Sequence, residues 1–312
     1  MPGKTIARLG SGALILTTIL LLCSCTGLNN MGQTQVDELT IVTTYTILED
    51  FARNVAGEDA DVRNITPVGA EVHEWELVPR NFADLEQADV VFYNGLNLEQ
   101  WMDQVDASVR THVPVVSLGE SCGYPTLPIA TGSFAGEPDP HIWMHPEGAA
   151  AYVERICAVL SEINPSRASY YRDNTDRYLQ QLQVLHEELA TAFSHIPVEH
   201  RLLVTTEAAF IYFADAYGFA HDGIWGTNTE EEGTPQQMLR IMKIVENQRP
   251  RAVFWESTGS SRYALSVSDD TGIPIAGPLY VDSFDEAGTS VETYLDMMRA
   301  NANLIVSALT TD

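Results

Sequence analysis

Apolar runs alternate with amphipathic stretches along most of the chain. LTIVTT (39–44) has the short, β-branched, continuously apolar character of a buried strand. YTILEDFARNVAG (45–57) follows with helical spacing and a Gly57 stop. The same reading gives a strand at ADVRNIT (60–66), a helix at NFADLEQA (81–88), a strand at DVVFYN (89–94), a helix at NLEQWMDQV (97–105) and a strand at PVVSL (114–118). A second series begins with strand RLLVTT (201–206) and helix AAFIYFADAYG (208–218). It continues with helix TPQQMLRIMKIVENQ (234–248), strands RAVFWES (251–257) and IPIAGPLYV (273–281), and helix SVETYLDMMRANANLIVSAL (290–309). Between the series, residues 166–196 contain no Gly or Pro and are bracketed by Pro165 and Pro197. Tyr171, Tyr178, Leu182, Leu185, Leu189 and Phe193 recur there at three- and four-residue steps, or their sum, and form one apolar stripe. The pattern predicts an α/β protein with two (β/α) lobes, mostly parallel sheets, and one long rigid helix joining them. The expected boundaries are 38–165 for the N-terminal lobe, 166–196 for the bridging helix and 197–312 for the C-terminal lobe.

The first residues do not belong to that pattern. Lys4 and Arg8 precede the mostly apolar stretch LGSGALILTTILLL (9–22), whose uninterrupted part is too short to span a bilayer and reads as an export signal. Leu22-Cys23-Ser24-Cys25 resembles a bacterial lipobox. The resemblance implies a signal peptide over 1–24, cleavage before Cys25, a lipid on the Cys25 sulfur, and a polar tether over 25–37. The protein is thus expected to be exported and lipid-anchored on the outer face of the cytoplasmic membrane, or periplasmic. A soluble secreted protein cut nearby is the alternative.

Charge sharpens the functional class. The 312 residues carry 43 acidic and 17 basic side chains, a net of −26. Phosphate backbones select basic surfaces, so nucleic acid is not an expected partner. Two cysteines follow the tether, Cys122 and Cys157. Export permits a disulfide between them, and the sequence leaves a disulfide and two free thiols both open.

In open α/β sheets, ligands bind beyond the carboxyl ends of the strands. Polar residues in those positions are His73 (in PVGAEVHEWELVPR), His141 and His145 (in EPDPHIWMHPEG), Glu207 directly after RLLVTT, and Asp282 after IPIAGPLYV. Two imidazoles from one lobe and two carboxylates from the other suit a divalent first-row metal, with the anions neutralising the dication. Taken singly, each residue has an ordinary reading: a surface histidine, a helix-capping glutamate, a turn-forming aspartate. Pro140 and Pro146 flank the His141/His145 pair and argue against a shared helical face. His141 is taken as the ligand. His145 and Glu256 are expected beside the site rather than in it. Ligating imidazoles must be neutral, so their reference pKa of ~6.5 places proton competition near pH 6.

At these segments the chain resembles the solute-binding proteins of bacterial metal-ion ABC importers, the cluster A-I or lipoprotein receptor antigen I family, over about residues 39–310. The resemblance rests on VHEWE around His73, DPHIW around His141, VTTEAAFIYFADAYG with Glu207, YVDSF with Asp282, and IWGTNTEEEGTPQQM (224–238), which is similar to the manganese- and iron-type members. It implies His73, His141, Glu207 and Asp282 as the ligand set. It also implies an ABC permease transmembrane subunit with its cytoplasmic ATPase as partners, a monomer, and Mn²⁺ as cargo, with Zn²⁺ and Fe²⁺ as the alternatives. Members with Glu at the third position tend to serve manganese or iron, and those with His tend to serve zinc. His145 departs from the family, which more often has Asp, Asn or Ser there. A metal-stabilised adhesin is a further reading. No H-E-x-x-H helix, G-x-S-x-G elbow or zinc-spaced cysteine pairs occur, so no enzymatic activity is expected.

Overall fold

The structure, a computed structural model, describes residues 39–227 and 231–310. The export signal, the tether and Cys25 lie outside the described residues. In chain order the elements are β1 (Leu39–Thr43), α1 (Thr46–Ala56), β2 (Ala60–Asn64), α2 (Pro79–Gln87), β3 (Val90–Tyr93), α3 (Met102–Ser108), β4 (Val115–Ser117), α4 (Leu118–Ser121), α5 (Pro146–Ile163) and α6 (Ala168–Ser194). They continue with β5 (Leu202–Glu207), α7 (Ile211–Tyr217), β6 (Ala220–Trp225), α8 (Pro235–Gln248), β7 (Val253–Glu256), α9 (Arg262–Thr271), β8 (Ile275–Leu279) and α10 (Tyr294–Thr310).

The first four strands form an all-parallel sheet in the order β2-β1-β3-β4. The later strands pair in parallel as β5-β6 and β7-β8, with β5 running beside β7. The predicted bridge is α6. Its 27 residues span ~40 Å at 1.5 Å per residue. All six residues of the predicted stripe are buried. Tyr178 lies against Phe51 of α1 and donates to Asp50 Oδ2 at 2.9 Å. At the other end, Phe193 packs edge-on against Phe213 and Phe219. The apolar core around α6 runs from Ile41 in β1 to Leu309 in α10 without a break, so the two lobes have separate sheets but share one core. The described residues from Leu39 onward form a single compact unit.

Three differences from the sequence pattern have local causes. The predicted helix over 97–105 starts only at Met102, because Leu96 and Asn97 take positive φ values of 54° and 63°. That turn wraps the buried Glu99 carboxylate, which accepts from the Asn94 and Gly95 N–H groups and the Thr44 hydroxyl. Strand β6 is absent from the apolar pattern because its polar residues His221 and Asp222 meet Thr205 and Arg240 rather than a core. Helix α9, with only Ala264 and Val267 buried, is too short for its period to stand out. Cys122 and Cys157 are free thiols.

The path from His141 into α5 depends on close backbone contact. Ile142–Met144 make a single 3₁₀ turn and Pro146 opens α5. Gly148 lies so near that a Cβ there would overlap the Ile142 carbonyl oxygen. Gly148→Ala is expected to lower stability by about 1–3 kcal/mol through overpacking, read as a reduced urea midpoint, and to displace the neighbouring His141 segment.

Candidate metal centre

Each candidate ligand follows the carboxyl end of a strand. His73 comes from the loop after β2, His141 from the long segment between α4, which follows β4 directly, and α5, Glu207 is the last residue of β5, and Asp282 lies three residues beyond β8. All four converge. His73 Nε2 is 3.6 Å from Glu207 Oε1 and 3.9 Å from Asp282 Oδ2. His141 Nε2 is 3.6 Å from Glu207 Oε1 and 4.0 Å from Asp282 Oδ1. The imidazole centroids are 6.0 Å apart. These separations are too long for hydrogen bonds. They are close to the ~3.4 Å donor–donor edge around an ion held at about 2.1 Å by nitrogen and oxygen.

Burial and lone pairs point the same way. His73 and His141 are 0% exposed, and Glu207 and Asp282 are 1% exposed. Both nitrogens of His73, Nε2 of His141 and both oxygens of Asp282 are buried with no hydrogen-bond partner. Buried polar atoms are nearly always satisfied, because leaving one unpaired costs about 1–3 kcal/mol. Four of these atoms, His73 Nε2, His141 Nε2 and the two Asp282 oxygens, lie around one point and fit a divalent cation.

Electrostatics assigns the two imidazoles different states. Burial, with the neighbouring His141, pushes the His73 pKa well below its ordinary value, so this ring is neutral. Burial also opposes charge on His141, but Asp139, Glu207 and Asp282 outweigh it and raise its pKa to about 10. Asp139 Oδ1 holds His141 twice, accepting from the backbone N–H at 2.9 Å and lying 3.0 Å from Nδ1. This contact fixes the ring with Nε2 toward the site. Burial raises Asp282 to about 6, despite His141. The expectation that both imidazoles titrate near pH 6 is therefore corrected, since burial and the surrounding carboxylates separate them.

Glu256 lies beside the site: it is 4% exposed, its Oε2 accepts from Glu207 N at 3.4 Å, and burial raises its pKa well above the ordinary carboxylate value. His145 does not join the four candidate ligands. It is the residue before Pro146 at the entry to α5, and its ring faces Tyr124, His186 and Tyr217. Sequence reasoning did not single out Asp139, although its place two residues before His141 in DPH was the available signal.

The walls of the site are tied together across the lobes. Trp143 Nε1 donates to Val281 O at 3.0 Å, Gly69 N donates to Ser283 Oγ at 2.7 Å, and Phe284 N donates to Thr46 Oγ1 at 3.3 Å. These three contacts hold the segment carrying Asp282 against the N-terminal lobe. On the other flank, the Tyr212 hydroxyl donates to Asp139 O at 2.8 Å and accepts from Leu127 N at 3.1 Å.

Comparison with known proteins agrees with this architecture. The sequence profile described as zinc-uptake complex component A, periplasmic, matches residues 41–308. The manganese-binding lipoprotein MntA of Halalkalibacterium halodurans is 38% identical over 296 residues, covering 95% of this chain and 97% of that protein. The iron-binding protein YfeA of Yersinia pestis is 37% identical over 277 residues, covering 89% and 88%. Among solved structures, the Mn-bound periplasmic metal-binding protein from Candidatus Liberibacter asiaticus superposes with a TM-score of 0.79 at 25% identity, covering 87% of this chain and 99% of that one. With both lobes and all four converging segments inside the matched region, the chain belongs to the zinc-uptake component A family of metal ABC transporter substrate-binding proteins.

Proposed function

We propose that this protein captures a divalent transition metal, Mn²⁺ first among the candidates, through His73, His141, Glu207 and Asp282, and delivers it to an ABC permease powered by a cytoplasmic ATPase. The observation that carries the reading is the convergence of buried donor atoms from both lobes, 3.6–4.0 Å apart, among which His73 Nε2, His141 Nε2 and both Asp282 oxygens have no hydrogen-bond partner. The manganese- and iron-binding relatives support the choice of cargo. So does Glu207, because a second carboxylate can supply up to two hard oxygens and raise the coordination number beyond the four that Zn²⁺ prefers. The protein acts as a monomeric receptor held at the membrane by a lipid on Cys25, with 38–165 and 197–312 as its lobes and 166–196 as the bridge. It does no chemistry on its ligand: four protein donors at 0–1% exposure leave no exchangeable position of the kind a metallohydrolase needs.

Before metal arrives, protonated His141 supplies positive charge among Asp139, Glu207 and Asp282. The incoming cation takes over that role. It displaces the Nε2 proton, while the Nδ1 side stays on Asp139.

Two outcomes are expected. A His141 pKa of about 10 and a neutral His73 mean that near pH 7.5 binding releases about one proton. Affinity therefore rises about tenfold per pH unit up to the region of pH 10. Protonation of Asp282, at about pH 6, steepens the loss below that pH. Calorimetry in buffers of different ionisation enthalpy measures the proton count, and a count of zero at pH 7.5 contradicts the assignment.

Glu207→His replaces oxygen donors with one nitrogen and removes a charge. It is expected to weaken Mn²⁺ at least tenfold while Zn²⁺ loses little or gains. The readout is the ratio of the two dissociation constants in wild type and variant. An unchanged ratio would remove Glu207 from selectivity.

A further inference from the structure

His145 supplies the starting point. It is 8% exposed, and its Nε2 is buried with no hydrogen-bond partner. Its Nδ1 lies 2.6 Å from the Tyr124 hydroxyl. His186, half-buried on α6, faces it with ring centroids 5.2 Å apart, and the His186 Nδ1 lies 3.1 Å from the Tyr217 hydroxyl. Both imidazoles thus occupy Nδ1 with a tyrosine hydroxyl. When Nδ1 carries the proton and donates to that oxygen, Nε2 is left as a lone-pair donor, which is how metal-binding histidines are oriented. Glu147, exposed in the first turn of α5, completes the group. One ligand atom from each of His145, Glu147 and His186 lies within 4.8 Å of the others.

We propose that His145, Glu147 and His186 form a second divalent-metal site, suited to Zn²⁺ and separate from the centre between the lobes. Two imidazoles and one carboxylate are a three-ligand zinc set, and the exposed side at Glu147 leaves the fourth position to water. The same set serves Mn²⁺ poorly, because that ion binds nitrogen weakly and wants more oxygens. Burial lowers the His145 pKa to about 4 against the pull of Glu147 and Asp215, so the ring is neutral at physiological pH and no proton must leave it. Glu147 and Asp215 face the site and favour a cation there, whereas positive charge on His186 opposes one. Because His145 and Glu147 stand at the start of α5 and His186 lies within α6, the metal would join the two helices.

The test is calorimetric titration of the folded protein with Zn²⁺ and separately with Mn²⁺, using His145→Asn, His186→Gln and His73→Ala. Wild type should bind two Zn²⁺ and one Mn²⁺. His145→Asn and His186→Gln should each weaken the second Zn²⁺ at least tenfold and leave Mn²⁺ binding unchanged. His73→Ala should keep the second Zn²⁺ while losing the first, so failure of the interlobe assignment reads out separately. His186 is only half-buried, so its variant remains informative if His145→Asn does not fold. A single Zn²⁺ in wild type, or a second equivalent that survives both His145→Asn and His186→Gln, would overturn the proposal.

Discussion

The buried, unpaired Asp282 carboxylate is the constraint around which the rest of the molecule is arranged. A carboxylate at 1% exposure with neither oxygen hydrogen-bonded carries a desolvation penalty of several kcal/mol. Nearby protein groups repay little of that penalty. Glu207 and Asp139 have the same sign of charge, and burial raises the Glu256 pKa well above its ordinary value, so that group supplies no positive charge either. His141, raised to about 10 by these acids, is the one cation facing the group among the described residues. The site therefore stores a demand for positive charge that a divalent ion meets and a proton meets only in part.

Such a site requires a scaffold that cannot relax to let its oxygens find other partners. The three cross-lobe hydrogen bonds that flank Asp282, from Trp143, Gly69 and Phe284, provide this locally. The core shared around α6 provides it globally, with Tyr178 bonded into the N-terminal lobe and Phe193 packed into the C-terminal one. Under the proposed ligand set, stiffness is a condition of affinity, because the four candidate residues come from separate segments and meet one ion only when the scaffold holds them together.

Much of this was legible in the sequence, for identifiable reasons. The α6 stripe was readable because six apolar residues keep one helical period without Gly or Pro, and all six are buried. The candidate ligand positions, which the structure brings within 3.6–4.0 Å of one another, followed from a general rule about strand ends together with a family resemblance. Residues whose roles depend on an unseen neighbour were not legible. Asp139 acts through the His141 ring, the Glu256 pKa is raised by its burial, and β6 is polar in sequence because its side chains bond to Thr205 and Arg240. His145 illustrates the limit. Four residues from a ligand in sequence, it turns about the 3₁₀ step at Ile142–Met144 and joins a different cluster altogether.

The central claim is that one metal ion sits among His73, His141, Glu207 and Asp282, and anomalous diffraction at the manganese edge from crystals of Mn²⁺-loaded protein tests it most directly. The account predicts a dominant peak within roughly 2.0–2.4 Å of both imidazole Nε2 atoms and of oxygens from both carboxylates. A dominant peak elsewhere on the chain, or one at this place with either carboxylate beyond about 3.5 Å, would contradict it.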